Sequence, residues 1–354
     1  MLYELKGGFI LKRYFAFLLC FVILAVPFKA NGSNISALSY IVYSPDTDEV
    51  VLEKDSEKRL PMASTTKIMT ALIVLEYIEK YGDKLVSVTH EMCTVEGSAL
   101  GLNEGDKINL SSLVKGMLLA SGNDAANTSA IFISGSTEGF VKLMNNKAKE
   151  YKLYSTSFET PSGLDGENHY SSAKDLALLS AVALENNSFR EIVKSKSLTI
   201  EYYSAQKEKR IKVNLKNHNK LLVNLEGCIG IKTGYTKKSG RCLVSAVERD
   251  GRRLIAVTLN APDDWRDHTQ LYLSAYERLK KYTPDDINVN IYTASGERIK
   301  IKLKNKMPLS FFGEGKIQVK IYLPRVIYYE NIEKCGKIYY ILNGKIIGTD
   351  YLGL

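Results

Sequence analysis

The sequence is short of the residues that build metal centres. Its 354 residues include four histidines and five cysteines. His90, His169, His218 and His268 stand far apart, and no C-x-x-C or His/Cys cluster appears. Nothing therefore signals a structural metal, and neither metal nor cofactor is expected. Zinc-finger spacing, a Gly-rich phosphate loop and an RNP-like run are also missing, which leaves nucleic-acid binding without a motif. No apolar stretch reaches the ~20 residues that a membrane-crossing helix needs. No internal repeat or low-complexity tract is present. With 45% hydrophobic and 25% charged residues, the chain can bury a real core, and disorder, collagen and a multi-span membrane protein are excluded.

What is present is a basic surplus and a distinctive N-terminus. The formal net charge of +9 calls for an anionic partner: nucleic acid, an anionic membrane or a cell-wall polymer. Lys6, Lys12 and Arg13 precede an apolar run from Tyr14 to Phe28, and Lys29-Ala30-Asn31-Gly32 follows. A basic start, a short apolar stretch and small residues make a secretory signal peptide, placed at residues 1–32. Ala30-Asn31-Gly32 suits cleavage better than a cut after Ala30, which would put Phe28 at the third position before it. Removing residues 1–30 takes away four cations and one anion, leaving about +6. Export makes nucleic acid a poor partner. Cys93, Cys228, Cys242 and Cys335 remain; four cysteines allow three pairings, and spacing selects none, so free thiols are expected in a core this large.

Periodicity then divides the chain. Tyr40–Tyr43 and Val50–Leu52 flank the turn Pro45-Asp46-Thr47-Asp48 as a hairpin. From Ser64 to Ile78 runs a helix apolar nearly all round, hence central and buried. Leu113–Leu119 and Ala125–Ile133 read as helices with Ser121-Gly122-Asn123 at their joint. Another helix spans 171–184. Cys228–Ile231, Cys242–Val247 and Leu254–Leu259 read as strands, and a last helix runs from Trp265 to Lys281. After Thr283-Pro284-Asp285-Asp286 the pattern becomes two-residue alternation, as in Ile299/Ile301/Leu303 and Ile317/Val319/Ile321/Leu323. The expectation is a mixed α/β domain over 33–283 and a small all-β domain over 284–354.

Ser64-x-x-Lys67 puts a hydroxyl and an amine three residues apart on one helical face. A buried lysine beside another cation can be neutral and take the serine proton. The pattern alone is weak, since Ser112/Lys115, Ser171/Lys174 and Ser204/Lys207 repeat it. Ser64 differs in opening the buried helix, whose backbone N–H groups favour developing negative charge. Ser121-Gly122-Asn123 is a second element. Lys232-Thr233-Gly234, ending an apolar strand, is the third, and glycine there would let a substrate backbone lie against the strand edge. Lys238-Ser239-Gly240 nearly repeats it but falls in a turn.

The order S-x-x-K, S-x-N, K-T-G resembles that of penicillin-binding proteins and class A β-lactamases. Longer text carries the resemblance to the D-alanyl-D-alanine carboxypeptidase branch: Pro61-Met62-Ala63-Ser64-Thr65-Thr66-Lys67, Ala120-Ser121-Gly122-Asn123-Asp124, Pro161-Ser162-Gly163-Leu164 with His169 and Asp175, Asn217-x-Asn219-Lys220, and Gly230 to Thr236. It covers roughly 35–283. It implies a β-lactamase/transpeptidase-like catalytic domain: an antiparallel sheet flanked by helices, plus a helical subdomain. It implies that Ser64 is the nucleophile and Lys67 its base, and that Ser121 and Asn123 complete the proton network. Lys232, Thr233, Gly234 and Tyr235 would bind substrate, with the Ser64 and Tyr235 N–H groups as oxyanion hole. Arg266 would be a second carboxylate anchor, against the alternative of a surface salt bridge. His169 and Asp175 would brace a loop.

The implied substrate is the peptidoglycan stem peptide, with β-lactams as covalent inhibitors. Two rivals remain. A class A β-lactamase needs a Glu-x-x-Leu-Asn segment, yet Ala99, Ala256 and Tyr339 stand where that glutamate would be. A non-catalytic wall-binding protein would not need Ser64, Lys67, Ser121, Asn123 and Lys232 all intact. The family's frequent C-terminal amphipathic helix has no counterpart, because 344–354 read as a strand pair. Placement outside the cytoplasmic membrane, with peripheral contact to membrane or anionic wall polymer, is the expectation.

Overall fold

Cys242 to Val247 are six consecutive buried residues on one strand, which requires cover on both faces of the sheet. The computed structural model describes residues 35–304, 308–323 and 334–354, so the 1–32 segment read as a signal peptide lies outside the described residues. The central sheet is antiparallel, in the order Glu49–Lys54, Ser39–Ser44, Arg252–Leu259, Gly240–Arg249, Cys228–Thr236. Side chains alternate between its faces. Cys242, Val244 and Ala246 join the main apolar core, while Ser245 faces the helix Asp264–Tyr276 and bonds His268 and the Tyr272 hydroxyl.

On the core side stands the helix Lys67–Tyr81. Its residues Lys67 to Leu75 are all buried, because Leu110–Leu119, Asn123–Ser134 and Ala173–Glu185 pack around it. A helix apolar on every side is stable only when wrapped in this way. A second antiparallel sheet, Leu85–Ser87, Lys107–Asn109, Ser197–Ser204 and Lys209–Lys216, sits at the helical end. The C-terminal sheet has the order Asn288–Tyr292, Arg298–Leu303, Lys345–Gly353, Gly336–Leu342, Gln318–Tyr322 and its own core around Ile301, Ile338, Tyr340 and Leu352. The fold is thus mixed α/β with an added all-β sheet. The four described cysteines are free thiols; Cys242 and Cys335 are buried, Cys93 and Cys228 half-buried.

Three elements differ from the sequence reading. The last helix ends at Tyr276, and Lys280–Tyr282 is a strand paired with Leu309–Phe311. Tight turns from Arg278 and Leu279 to the Ala275 and Tyr276 carbonyls end it, and the Arg278 guanidinium donates to the Val51 carbonyl at 2.6 Å. A distant strand thus overrides local helix propensity. The hairpin Ser197–Ser204/Lys209–Lys216 turns through Ala205-Gln206-Lys207-Glu208, which has no Asn-Gly or Asp-Gly signal. Thr137–Glu150 forms an amphipathic helix capped by Ser136, whose hydroxyl accepts from the Gly139 N–H at 3.0 Å.

Candidate active site

Ser64 lies in a single 3-10 turn, Ala63–Thr66, immediately before the central helix. Ala63 holds φ +49°, a conformation that costs an alanine roughly 1–2 kcal/mol and must be imposed by its surroundings. The surroundings are visible. The Thr65 and Thr66 hydroxyls donate to the Met62 and Ala63 carbonyls at 2.7 and 2.8 Å. Thr66 also meets His169 Nε2 at 2.8 Å, while His169 Nδ1 accepts from the Glu159 N–H at 2.9 Å. That leaves the His169 proton on Nε2. Burial pushes this imidazole down to about 4, so it is a neutral brace at pH 7.

Two glycines let other backbones close on the turn. A methyl group on Gly163 would meet the Ala63 carbonyl oxygen at 2.1 Å, and one on Gly234 would come within 3.1 Å of Met62 O and Ser64 N. The sequence reading gave Gly234 to the substrate. It lines the cleft and also admits the Ser64 turn against the strand Cys228–Thr236, an outer strand of its sheet.

Lys67 Nζ has three partners: Ser64 Oγ at 3.0 Å, Asn123 Oδ1 at 2.7 Å, and the Ser162 carbonyl. Two of these can only accept. A neutral amine donates to both and turns its lone pair to the third, a hydroxyl that can donate. The lysine is fully buried. Burial first, and the charge of Lys232 second, hold its proton affinity well below that of an ordinary lysine, against a smaller opposing pull from Asp124. Geometry and electrostatics agree on a neutral base beside a serine.

Ser121 adopts φ +60° in the loop between Leu110–Leu119 and Asn123–Ser134 and accepts from Lys232 Nζ at 3.1 Å. Lys232 also donates to the Thr233 carbonyl at 2.8 Å, and burial lowers it to about 7. Asn123 Nδ2 donates to the Glu96 carbonyl at 2.6 Å. The buried Asp124 carboxylate accepts from the Leu100, Gly101 and Leu102 N–H groups at 2.8, 2.9 and 3.1 Å. It fixes the 100–102 segment beside the Ser121–Asn123 loop.

A cleft of about 330 Å³ opens over these groups, lined by Ser64, Ser121, Thr233, Gly234 and Tyr235 together with His218, Lys220, Arg241 and Trp265. A larger cavity of about 680 Å³, between 49–51, 277–280 and 312–314, has no serine or lysine–serine pair in its lining; chemistry favours the smaller one. Arg266 is absent from the cleft lining; it is exposed and ion-paired to Asp263 at 3.7 Å. The guanidinium in the cleft is Arg241, which donates through Nε and Nη2 to Asp264 at 3.0 and 2.8 Å and lies 5.6 Å from the Trp265 ring centre. Sequence reasoning missed it, because only strand pairing puts Arg241 opposite Tyr235. His169 and Asp175 stand as braces, the latter accepting from the Ser155 N–H and the Thr156 hydroxyl. Lys238 and Ser239 hold the turn, donating to the Gly166 carbonyl and the Gly240 carbonyl respectively. Among the described residues no group of His, Cys, Asp or Glu could hold a metal ion.

This fold, with a serine beside a buried lysine, defines an active-site serine peptidase of the penicillin-binding type. The comparisons specify the family. The D-alanyl-D-alanine carboxypeptidase family model matches residues 26–263. The chain is 34% identical over 309 residues to D-alanyl-D-alanine carboxypeptidase DacF of Bacillus subtilis, covering 82% of this chain and 78% of that protein. It is 30% identical over 277 residues to DacC of Escherichia coli, covering 74% of this chain and 66% of that one. The Streptomyces K15 DD-transpeptidase structure superposes with a TM-score of 0.65 at 30% identity, covering 69% of this chain and 98% of that one. The chain belongs to the D-alanyl-D-alanine carboxypeptidase family. A Francisella tularensis carboxypeptidase structure shares the fold over 90% of this chain and 92% of its own, with a TM-score of 0.65 at 23% identity.

Proposed function

We propose that the protein removes the terminal D-alanine from peptidoglycan pentapeptide stems through an acyl-enzyme on Ser64. The observation that carries this is the buried Lys67 amine 3.0 Å from the Ser64 hydroxyl, with its two other partners unable to donate. Lys67 takes the Ser64 proton as Oγ bonds to the carbonyl carbon of the penultimate residue. The resulting oxyanion lies toward the Ser64 and Tyr235 N–H groups. The C–N bond breaks, a proton passes through Lys67 and Ser121 to the leaving amine, and free D-alanine departs. Water then adds to the ester by the same base, releasing the tetrapeptide and restoring Ser64. Asn123 holds the substrate amide; Lys232, Thr233 and the Arg241 guanidinium receive the terminal carboxylate.

A β-lactam, whose strained amide mimics the scissile bond, acylates Ser64 and leaves slowly. The domains divide as an exported segment at 1–32, a catalytic domain over 33–283 and a β domain over 284–354. The enzyme works outside the cytoplasmic membrane, and its basic surplus contacts membrane or anionic wall polymer. Incubation with a purified pentapeptide stem tests the reading. The wild type should release D-alanine and Ser64→Ala should not. Rapid penicillin turnover would instead support the β-lactamase alternative, and a wild type that releases nothing would support a non-catalytic binder.

A further inference from the structure

The C-terminal sheet turns a uniformly basic, tyrosine-rich face to solvent. Its inward positions, among them Ile301, Ile338, Tyr340 and Leu352, form the local core. Outward, the strand Arg298–Leu303 carries Arg298, Lys300 and Lys302, while Lys337 and Lys320 stand on two neighbouring strands. Tyrosines sit directly opposite the cations: Tyr292 faces Arg298, Tyr351 and Tyr322 flank Lys337, and Tyr339 faces Lys320. The other outward strand positions are Asn288, Asn290, Gln318, Ile341, Ile346, Thr349 and Gly353, none of them a carboxylate, and Asp350 is buried on the inner side.

An ordinary solvated face mixes both signs of charge. We infer that this face docks on an anionic phospholipid bilayer. The inference rests on the extracytoplasmic placement proposed above and names the surface that makes the contact. Charge complementarity favours an anionic partner, and the tyrosines and an exposed isoleucine favour a bilayer over a soluble polyanion. Tyrosine places an apolar ring and a polar tip at the headgroup level. On this face Ile346, opposite Ile341, and Tyr322, opposite Lys337, are 53% and 58% exposed, groups that gain from an acyl boundary and nothing from a hydrated polymer. Five strands at ~4.8 Å spacing present a surface about 24 Å wide, suited to a planar partner.

Co-sedimentation of the full chain with phosphatidylcholine vesicles, and with vesicles half phosphatidylglycerol, tests this. Wild type should prefer the anionic vesicles, with the preference lost at high salt. The Arg298→Glu/Lys300→Glu/Lys302→Glu variant should weaken that preference about a hundredfold or more, at roughly fivefold per cation removed. The N-terminal segment is common to all variants, so its own affinity cancels. Lys320→Glu/Lys337→Glu, on other strands, should move the same way and serves if the first variant misfolds. Both should release D-alanine at the wild-type rate. A wild type indifferent to lipid charge, reversed-charge variants that bind normally, or binding to soluble polyglycerol phosphate without vesicle binding would each overturn the inference. Failure to release D-alanine would instead strike the peptidase reading and leave the vesicle result standing.

Discussion

Replacing Lys232 by methionine should stabilise the protein while disabling it, and the gain should depend on pH. Lys232 is 1% exposed, and burial lowers it from 10.5 to about 7. Between those values the unfolded chain holds a proton that the folded one does not, so wild-type stability rises with pH across that window and is least below about 7. A displacement from 10.5 to about 7, at about 1.4 kcal/mol per tenfold change in proton affinity, is a penalty of about 5 kcal/mol. Methionine removes the penalty but leaves the Thr233 carbonyl and the Ser121 hydroxyl without their donor, a loss of about 1–3 kcal/mol. The net gain is about 2–4 kcal/mol near pH 6. It should vanish or reverse near pH 10.5, where only the lost hydrogen bonds remain. Removing Lys232 also relieves Lys67, whose depression it shares, and this adds in the same direction. Unfolding followed from pH 6 to 10.5 reads the difference. D-alanine release should fall about 100-fold or more, as when a preorganised charge partner is deleted. A variant less stable than wild type at pH 6, or one whose advantage is the same at every pH, would refute the reasoning.

Three further outcomes follow from the same geometry. His169, lowered to about 4, must lose stability as pH falls from 6.5 through 4, by about 3 kcal/mol in full; His169→Gln should flatten this acid dependence of the melting temperature. Gly163→Ala would force a methyl into the Ala63 carbonyl at a residue with φ +89°. It should cost at least about 2 kcal/mol and slow acylation by penicillin more than it lowers the melting temperature would explain. Arg241→Ala should raise KM for a peptide with a free C-terminal carboxylate about tenfold or more, whereas Arg266→Ala should leave it unchanged; the opposite order would return the anchor role to Arg266.

The legible features of the site were those close together in the chain. Ser64 and Lys67 are three residues apart, so one helical turn suffices to face them. Ser121–Asn123 and Lys232–Gly234 are short texts on elements whose apolar pattern marks them as buried. Arg241 was not legible, because its place follows from pairing with Tyr235 across a hairpin. Nor was the Ser162 carbonyl, which reaches Lys67 only because Gly163 lets its loop lie against Ala63. The helix placed through Lys281 failed for the same kind of reason, since pairing with Leu309–Phe311 lies beyond any local window.

The sequence by itself determined the family, the mixed α/β class with its β tail, and the three short texts that meet at the cleft. These follow from periodicity and local spacing, which a linear chain records directly. Only the tertiary structure decided that Lys67 is stripped of water and set beside Lys232, and that Gly234 also makes room for the Ser64 turn. The same holds for Arg241 entering the cleft and for five cations sharing one sheet face. Burial, register and close approach depend on residues far apart in the chain. Proton affinity, strain and surface charge follow from what folding brings together.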